Sequence, residues 1–326
     1  MSTSSASINF ALINQAINRY VTVVLLTIGV IGNVLNLFIF TRKTFRNNIC
    51  VIYFLAATVS DSFSIGIGLL TRLLNGYGVD PSQTSSIFCK FRFFITYTAA
   101  FTGGWFISLA CIERYLCSSA NVHQRRLVTV RKVYASIFAV VVFGVLAFGE
   151  QFYCIDINQQ LFSAPQSCYQ LKQNIPCQIV DSLMQFLLEI ISPTLIMTIF
   201  GCLILRNVRE KRRRINVSPS TNFSTPKMPL PVETNRSAQR REAQLLIILL
   251  IQVVVFIIST FPVSIYKFYS VATIYDVRSN LRQSIENTIF NICVICFFLN
   301  NTIKFYIYTL CGSVFRKELI KLFRRR

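Results

Sequence analysis

From Leu245 to Ile258 the chain reads LLIILLIQVVVFII, in which Gln252 is the only polar residue. The apolar run extends over Ala243–Phe268, longer than the roughly 20 residues a helix needs to cross a bilayer. Outward from it, six further stretches share this character: Tyr20–Phe40, Cys50–Thr71, Phe91–Leu116, Val133–Tyr153, Ile179–Leu205 and Ile285–Leu310. In lipid each backbone N–H and C=O must be satisfied without water, and a helix does this within one segment. The sequence therefore predicts an all-α membrane protein. Residues 20–310 form a bundle of seven transmembrane helices, residues 1–19 lie before it, and residues 311–326 follow it.

Composition and charge agree with a lipid solvent. Hydrophobic residues make up 53% of the chain and charged residues only 14%, against about a quarter charged in soluble domains. The net charge of +20 raises the question of a nucleic-acid partner, and its distribution answers it. Most Lys and Arg fall in Thr41–Asn48, Tyr115–Lys132, Arg206–Glu242 and Cys311–Arg326, every second connection between spans. That is the positive-inside pattern, which needs no nucleic acid and places these four segments in the cytoplasm. The N-terminus is then extracellular in a multi-pass plasma-membrane protein. Arg42, Lys43 and Arg46 follow the first span instead of preceding it, which reads as a retained anchor and not a cleaved signal.

Two polar regions carry further expectations. In SVFRKELIKLFRRR (Ser313–Arg326), Val314, Phe315, Leu319, Ile320 and Phe323 share one helical face, the pattern of an amphipathic helix on anionic membrane lipids. Arg206–Glu242, a cytoplasmic loop with a basic run at Lys211–Arg214 and three prolines in Pro226–Pro231, is expected to be mobile. Its Ser218-Pro219 and Thr225-Pro226 pairs are candidate phosphorylation sites, and the sequons at Asn216, Asn222 and Asn235 fall on the side where glycosylation does not occur. No metal spacing, phosphate loop or nucleophile motif is present, so neither enzyme nor cofactor is expected. Cys89, Cys154, Cys168 and Cys177 lie on or near the outer face, where disulfides form.

Ionisable groups inside a span are costly and mark function by default. Asp61, Glu113, Arg114, Glu189 and Lys304 stand out here. Glu113-Arg114-Tyr115 closes the third span, and the interval from Cys89 to Arg114 covers roughly 37 Å at about 1.5 Å per residue, a full crossing. At these residues the chain resembles the rhodopsin-like G-protein-coupled receptors, whose third helix runs from a bridging cysteine to Asp/Glu-Arg-Tyr. Gly32-Asn33, Ala57 with Asp61, Pro193, Phe256 with Pro262, and Tyr308 followed by Phe315-Arg316-Lys317-Glu318-Leu319 fall in the same register. The departures are specific. The only tryptophan is Trp105, Thr260 stands at the sixth-helix tryptophan, Gly201 at a fifth-helix tyrosine, and Lys304-Phe305 at the seventh-helix Asn-Pro.

The resemblance implies roles. Glu113, Arg114, Tyr115 and Tyr308 would serve activation and coupling to a heterotrimeric G protein. Asn33, Asp61, Asn300, Asn301 and Lys304 would form an intramembrane polar core. There the family holds a sodium ion beside Asp61, and the ammonium of Lys304 is expected to replace it. Pro193 and Pro262 would kink their helices. Thr96, Tyr97, Glu189, Tyr266 and Phe298 are pocket candidates; Thr96 stands at the amine-binding aspartate and Phe298 at the retinal lysine, which disfavours amine and opsin readings. A Cys89–Cys168 bridge is implied, with Cys154 and Cys177 as rivals or as a second pair. The long outer segment Gln151–Gln178 and Glu189 favour a neuropeptide as the extracellular ligand, one with a basic C-terminal residue. A chemosensory small-molecule receptor, a non-signalling decoy and a transporter are the alternatives.

Overall fold

A computed structural model describes residues 2–46, 48–119, 121–157, 167–170, 174–217, 232–273, 275–276 and 278–324. Seven of its helices are long and apolar enough to cross a membrane: α1 (Asn9–Phe40), α2 (Ile49–Gly76), α3 (Ser86–Ser118), α4 (Val130–Cys154), α5 (Ile175–Asn207), α6 (Ile247–Ala272) and α7 (Asn280–Cys311). A further helix, α8 (Ser313–Arg324), follows after Gly312. The seven-helix membrane fold read from the sequence is the fold observed.

The helices reach beyond the apolar runs because polar end residues find partners. Ser2–Ala16 is already helical and joins the first span through a wide π-helical turn at Ile17–Val21. It is no detached tail: Asn14 donates to Thr288 Oγ1 at 3.0 Å on α7, and Arg19 Nε donates to Gly76 O at 2.5 Å on α2. The segment expected to be a mobile loop is also partly ordered. One helix continues to Val217 and another begins at Val232. Arg, Lys and Glu are good helix formers, and Arg206 meets Glu210 one turn on at 3.2 Å. Ser218, Asn222 and Thr225 lie outside the described residues.

Packing sorts the helices by depth. α3 and α7 are the most enclosed, while only 17% of the α4 window is buried, so α4 lies at the rim. Phe138 and Leu146 on α4 are largely exposed, a position that water would penalise and lipid tails accept. Small side chains at Cys50, Ala57, Ala110 and Cys111 are fully enclosed and let α2 and α3 approach closely. Near α8, the rings of Phe40, Phe54, Tyr308 and Phe315 pack at centroid separations of 5.4–6.1 Å, seating α8 on the bundle.

The other end is closed by covalent bonds. Ile155–Ile157 (β1) pairs antiparallel with Cys168–Gln170 (β2), placing Ile155 opposite Gln170 and Ile157 opposite Cys168. Cys89–Cys168 ties this hairpin to the start of α3, and Cys154–Cys177 ties the end of α4 to the start of α5. The outer cysteines thus form two bridges. Beside them, Asp156 is held below the ordinary carboxylate range, first by a hydrogen bond from Ser86 and also by Lys90 at 3.3 Å.

Candidate functional site

Beneath the hairpin lies a cavity of about 50 Å³. At that volume it has room for about one or two waters. Its walls combine the aromatic residues Phe93, Tyr97, Tyr169, Phe290, Phe297 and Phe298 with three cations, Arg72, Arg92 and Lys267. The wide turn Ser64–Leu69 in α2 helps to shape it. Gly68 in that turn receives the Phe298 ring so closely that any Cβ there would collide with it. Tyr169 reaches down from β2 towards Phe93 and Phe290, with ring centroids 6.4 and 5.9 Å away.

Two of the three cations face their own aspartate. Lys267 Nζ donates to Asp181 Oδ2 at 2.7 Å and to Tyr97 OH at 2.9 Å, and it lies 4.6 Å above the Tyr97 ring. Asp181 is fully buried and also accepts from Gln151 at 2.8 Å and from Gln170. This knot joins α3, α4, β2, α5 and α6. Arg92 donates to Asp80 Oδ2 at 3.4 Å and to Ser82 Oγ at 3.0 Å. Arg72 Nη1 donates to Asn291 Oδ1 at 2.5 Å.

Of the pocket candidates, Thr96, Tyr97 and Phe298 line this cavity; Glu189 and Tyr266 do not. Tyr266 stacks on Phe290 behind the wall, 5.0 Å between centroids. Glu189 is buried deeper in α5, near Gln185, and neither carboxylate oxygen completes a hydrogen bond among the described residues. It occupies a second wide turn, Gln185–Ile191, just before Pro193. Pro193 has no N–H to give to the preceding turn, and two side chains of α3 bond to carbonyls of this stretch. Trp105 Nε1 donates to Leu188 O at 2.9 Å and Ser108 Oγ to Pro193 O at 3.3 Å. Pro262 lies within α6.

At mid-depth Lys304 Nζ donates to Asp61 Oδ1 at 2.8 Å, both side chains buried. Gly103 supplies the space, since a Cβ there would stand 3.3 Å from Asp61 Oδ1. A sodium ion does not fit this site, because it would face the Lys304 ammonium across a single carboxylate. Asn301 Nδ2 donates to Ser64 Oγ at 2.9 Å and Asn300 Nδ2 to Asn301 Oδ1 at 3.2 Å. Asn33 stands apart: it is buried on α1, but its amide has no hydrogen-bond partner among the described residues.

At the end opposite the disulfides, Arg114 is largely buried. Its Nε lies 3.6 Å from Glu113 Oε2, and its Nη2 donates to Asn48 Oδ1 at 2.8 Å. Asn48 also caps α2 by accepting from Cys50 N. Tyr115 packs on Phe200, 5.3 Å between centroids, and Tyr308 OH accepts from Gln252 Nε2 at 2.8 Å, linking α6 to α7.

Reading the sequence overlooked Arg92, Asp181 and Lys267, although all three lie inside the apolar runs, and Arg72, one residue past a run. Their places near the run ends made them resemble flanking charges. The available signal was that each is ionisable and shares a predicted span with apolar neighbours.

Seven spanning helices, an aromatic-walled cavity with three cations under a disulfide-tethered hairpin at one end and a buried arginine at the other define a helical membrane protein of receptor type. The model of the 7 transmembrane receptor (rhodopsin family) matches residues 32–308, and the chain belongs to that family. A comparison with individually characterised proteins found no match.

Proposed function

We propose that this receptor sits in the plasma membrane with its disulfide end outside, binds an extracellular ligand there and activates heterotrimeric G proteins at the Arg114 end. The observation that carries the coupling role is the Arg114 arrangement: a guanidinium held at the bundle edge by Glu113 at 3.6 Å and by an Asn48 amide oxygen. Such an arrangement is a two-state element, since a partner offering better acceptors can draw the side chain away. Tyr308, joined to Gln252 across α6 and α7, sets whether those helices separate at this end.

The ligand class we favour is a neuropeptide, in keeping with the long outer segment between α4 and α5. The cavity of about 50 Å³ admits only a compact tip, so most of a peptide would lie over the hairpin. Expression in cultured cells and a screen of peptides for G-protein activation tests this, with Arg114→Ala as the control. The reading expects at least one peptide to give a response that Arg114→Ala abolishes while surface expression holds. Responses to small organic acids but to no peptide would move the ligand to the small-molecule class. A response that survives Arg114→Ala would contradict the coupling role.

A further inference from the structure

Arg72 is the buried cation at the disulfide end for which the described residues provide no carboxylate. The acids of that end are otherwise engaged. Asp80 faces Arg92 at 3.4 Å, Asp156 faces Lys90 at 3.3 Å and Asp181 faces Lys267 at 2.7 Å. Asp276 and Glu286 hold Arg278 and Arg282 at 2.7–3.2 Å. Glu150 accepts from Gln151, and Glu189 lies outside the cavity wall. Residues 158–166 and 171–173 contain neither Asp nor Glu.

A guanidinium offers five donors in a planar fork. The described contacts of Arg72 use one, to Asn291 Oδ1, while only 4% of the residue is exposed. Burying a charge without its counter-charge is expensive, and Arg92 on the same cavity wall carries its carboxylate where Arg72 does not. Arg72 is also aimed. Asn291, which receives its Nη1, donates in turn to Asn14 Oδ1 at 3.3 Å, so the N-terminal helix braces the fork. The surrounding wall is aromatic, with Phe93, Phe290, Phe297 and Phe298.

We infer that the ligand presents one carboxylate, borne on an aromatic or apolar body, and that this carboxylate forks onto Arg72. This rests on the receptor reading and replaces a basic ligand tip with an acidic one. Two sources supply the chemistry: the free C-terminus of a peptide, or a small aromatic acid. Lys267 and Arg92 do not compete for it, since each already faces its own aspartate.

The test uses the full chain, purified into lipid nanodiscs, with thermal stabilisation as the readout. The probes are 3-phenylpropionate, indole-3-acetate and a glycine-rich tetrapeptide ending in phenylalanine, each beside its primary amide. Acids should raise the melting temperature and amides should not. Apparent acid affinity should fall about 10- to 100-fold in Arg72→Gln, the worth of a charge-assisted hydrogen bond. Arg72→Lys, which keeps the charge, should retain part of it and guards against a misfolded variant. Stabilisation by the tetrapeptide acid alone identifies a peptide C-terminus, and stabilisation by the small acids identifies a small ligand. Equal shifts from acids and amides, no shift from any acid, or an acid shift unchanged in Arg72→Gln would each overturn the inference. Nucleotide exchange on added G protein is read separately, so acids that bind without driving exchange would sink the signalling role and leave Arg72 as the acid receptor.

Discussion

Lys304 and Arg72 are both cations enclosed by the bundle, and their company differs. Lys304 meets Asp61 at 2.8 Å in a space made by Gly103, at mid-depth and away from the cavity under the hairpin. Arg72 meets one neutral amide on the cavity wall. A compensated buried charge fixes how two helices pack, and removing either partner strands the other. A buried charge without a counter-charge costs stability and stays ready for an anion from outside. On the proposal above, the bundle would divide its intramembrane charges between holding the fold and meeting a ligand.

Breaking the compensated set should have the largest effects. Asp181 receives Lys267, Gln151 and Gln170 at once, so Asp181→Leu strands a cation and two amides. The expected outcome is loss of surface expression, measured by flow cytometry of a tagged chain. Lys304→Met should cost about 3–5 kcal/mol, as for other broken buried pairs. Adding Asp61→Leu to Lys304→Met should recover much of that loss in thermal melts, whereas additive losses would mean that the two charges act independently. Trp105→Phe removes the indole donor to Leu188 O, and about 1 kcal/mol of stability should go with it. The smallest effect is the sharpest for Asp61: exchanging sodium for choline at constant ionic strength should leave the melting temperature unchanged, because the ammonium occupies the place a sodium ion would take.

Much of the fold was legible because lipid leaves few choices. Runs such as Leu245–Ile258 can only be helices, and the Glu113-Arg114-Tyr115 register placed them in a known bundle. The pairing of Lys304 with Asp61 was readable because the receptor resemblance places both beside one polar site, where Asp61 is the only charge in its run. The cavity was less legible. Lys267 with Asp181 depends on two helices meeting near their ends, and Arg92 with Asp80 on how the short connection before α3 folds back, distances that sequence spacing does not carry. Glu189 was taken for a cavity residue because it lies four residues before Pro193, but the wide turn at Gln185–Ile191 changes the side-chain register and leaves it off the cavity wall. The ordered start of the chain was hidden for a related reason. Asn14 and Arg19 look like solvent-facing residues until α7 and the end of α2 supply their partners.

The division of charges is tested most directly by melting ligand-free Lys304→Met and Arg72→Gln beside the wild-type chain, in the same nanodiscs. Opposite behaviour is expected: Lys304→Met melts well below wild type, and Arg72→Gln melts at or above it. If Arg72→Gln falls as far as Lys304→Met, Arg72 is a structural residue and the account is contradicted.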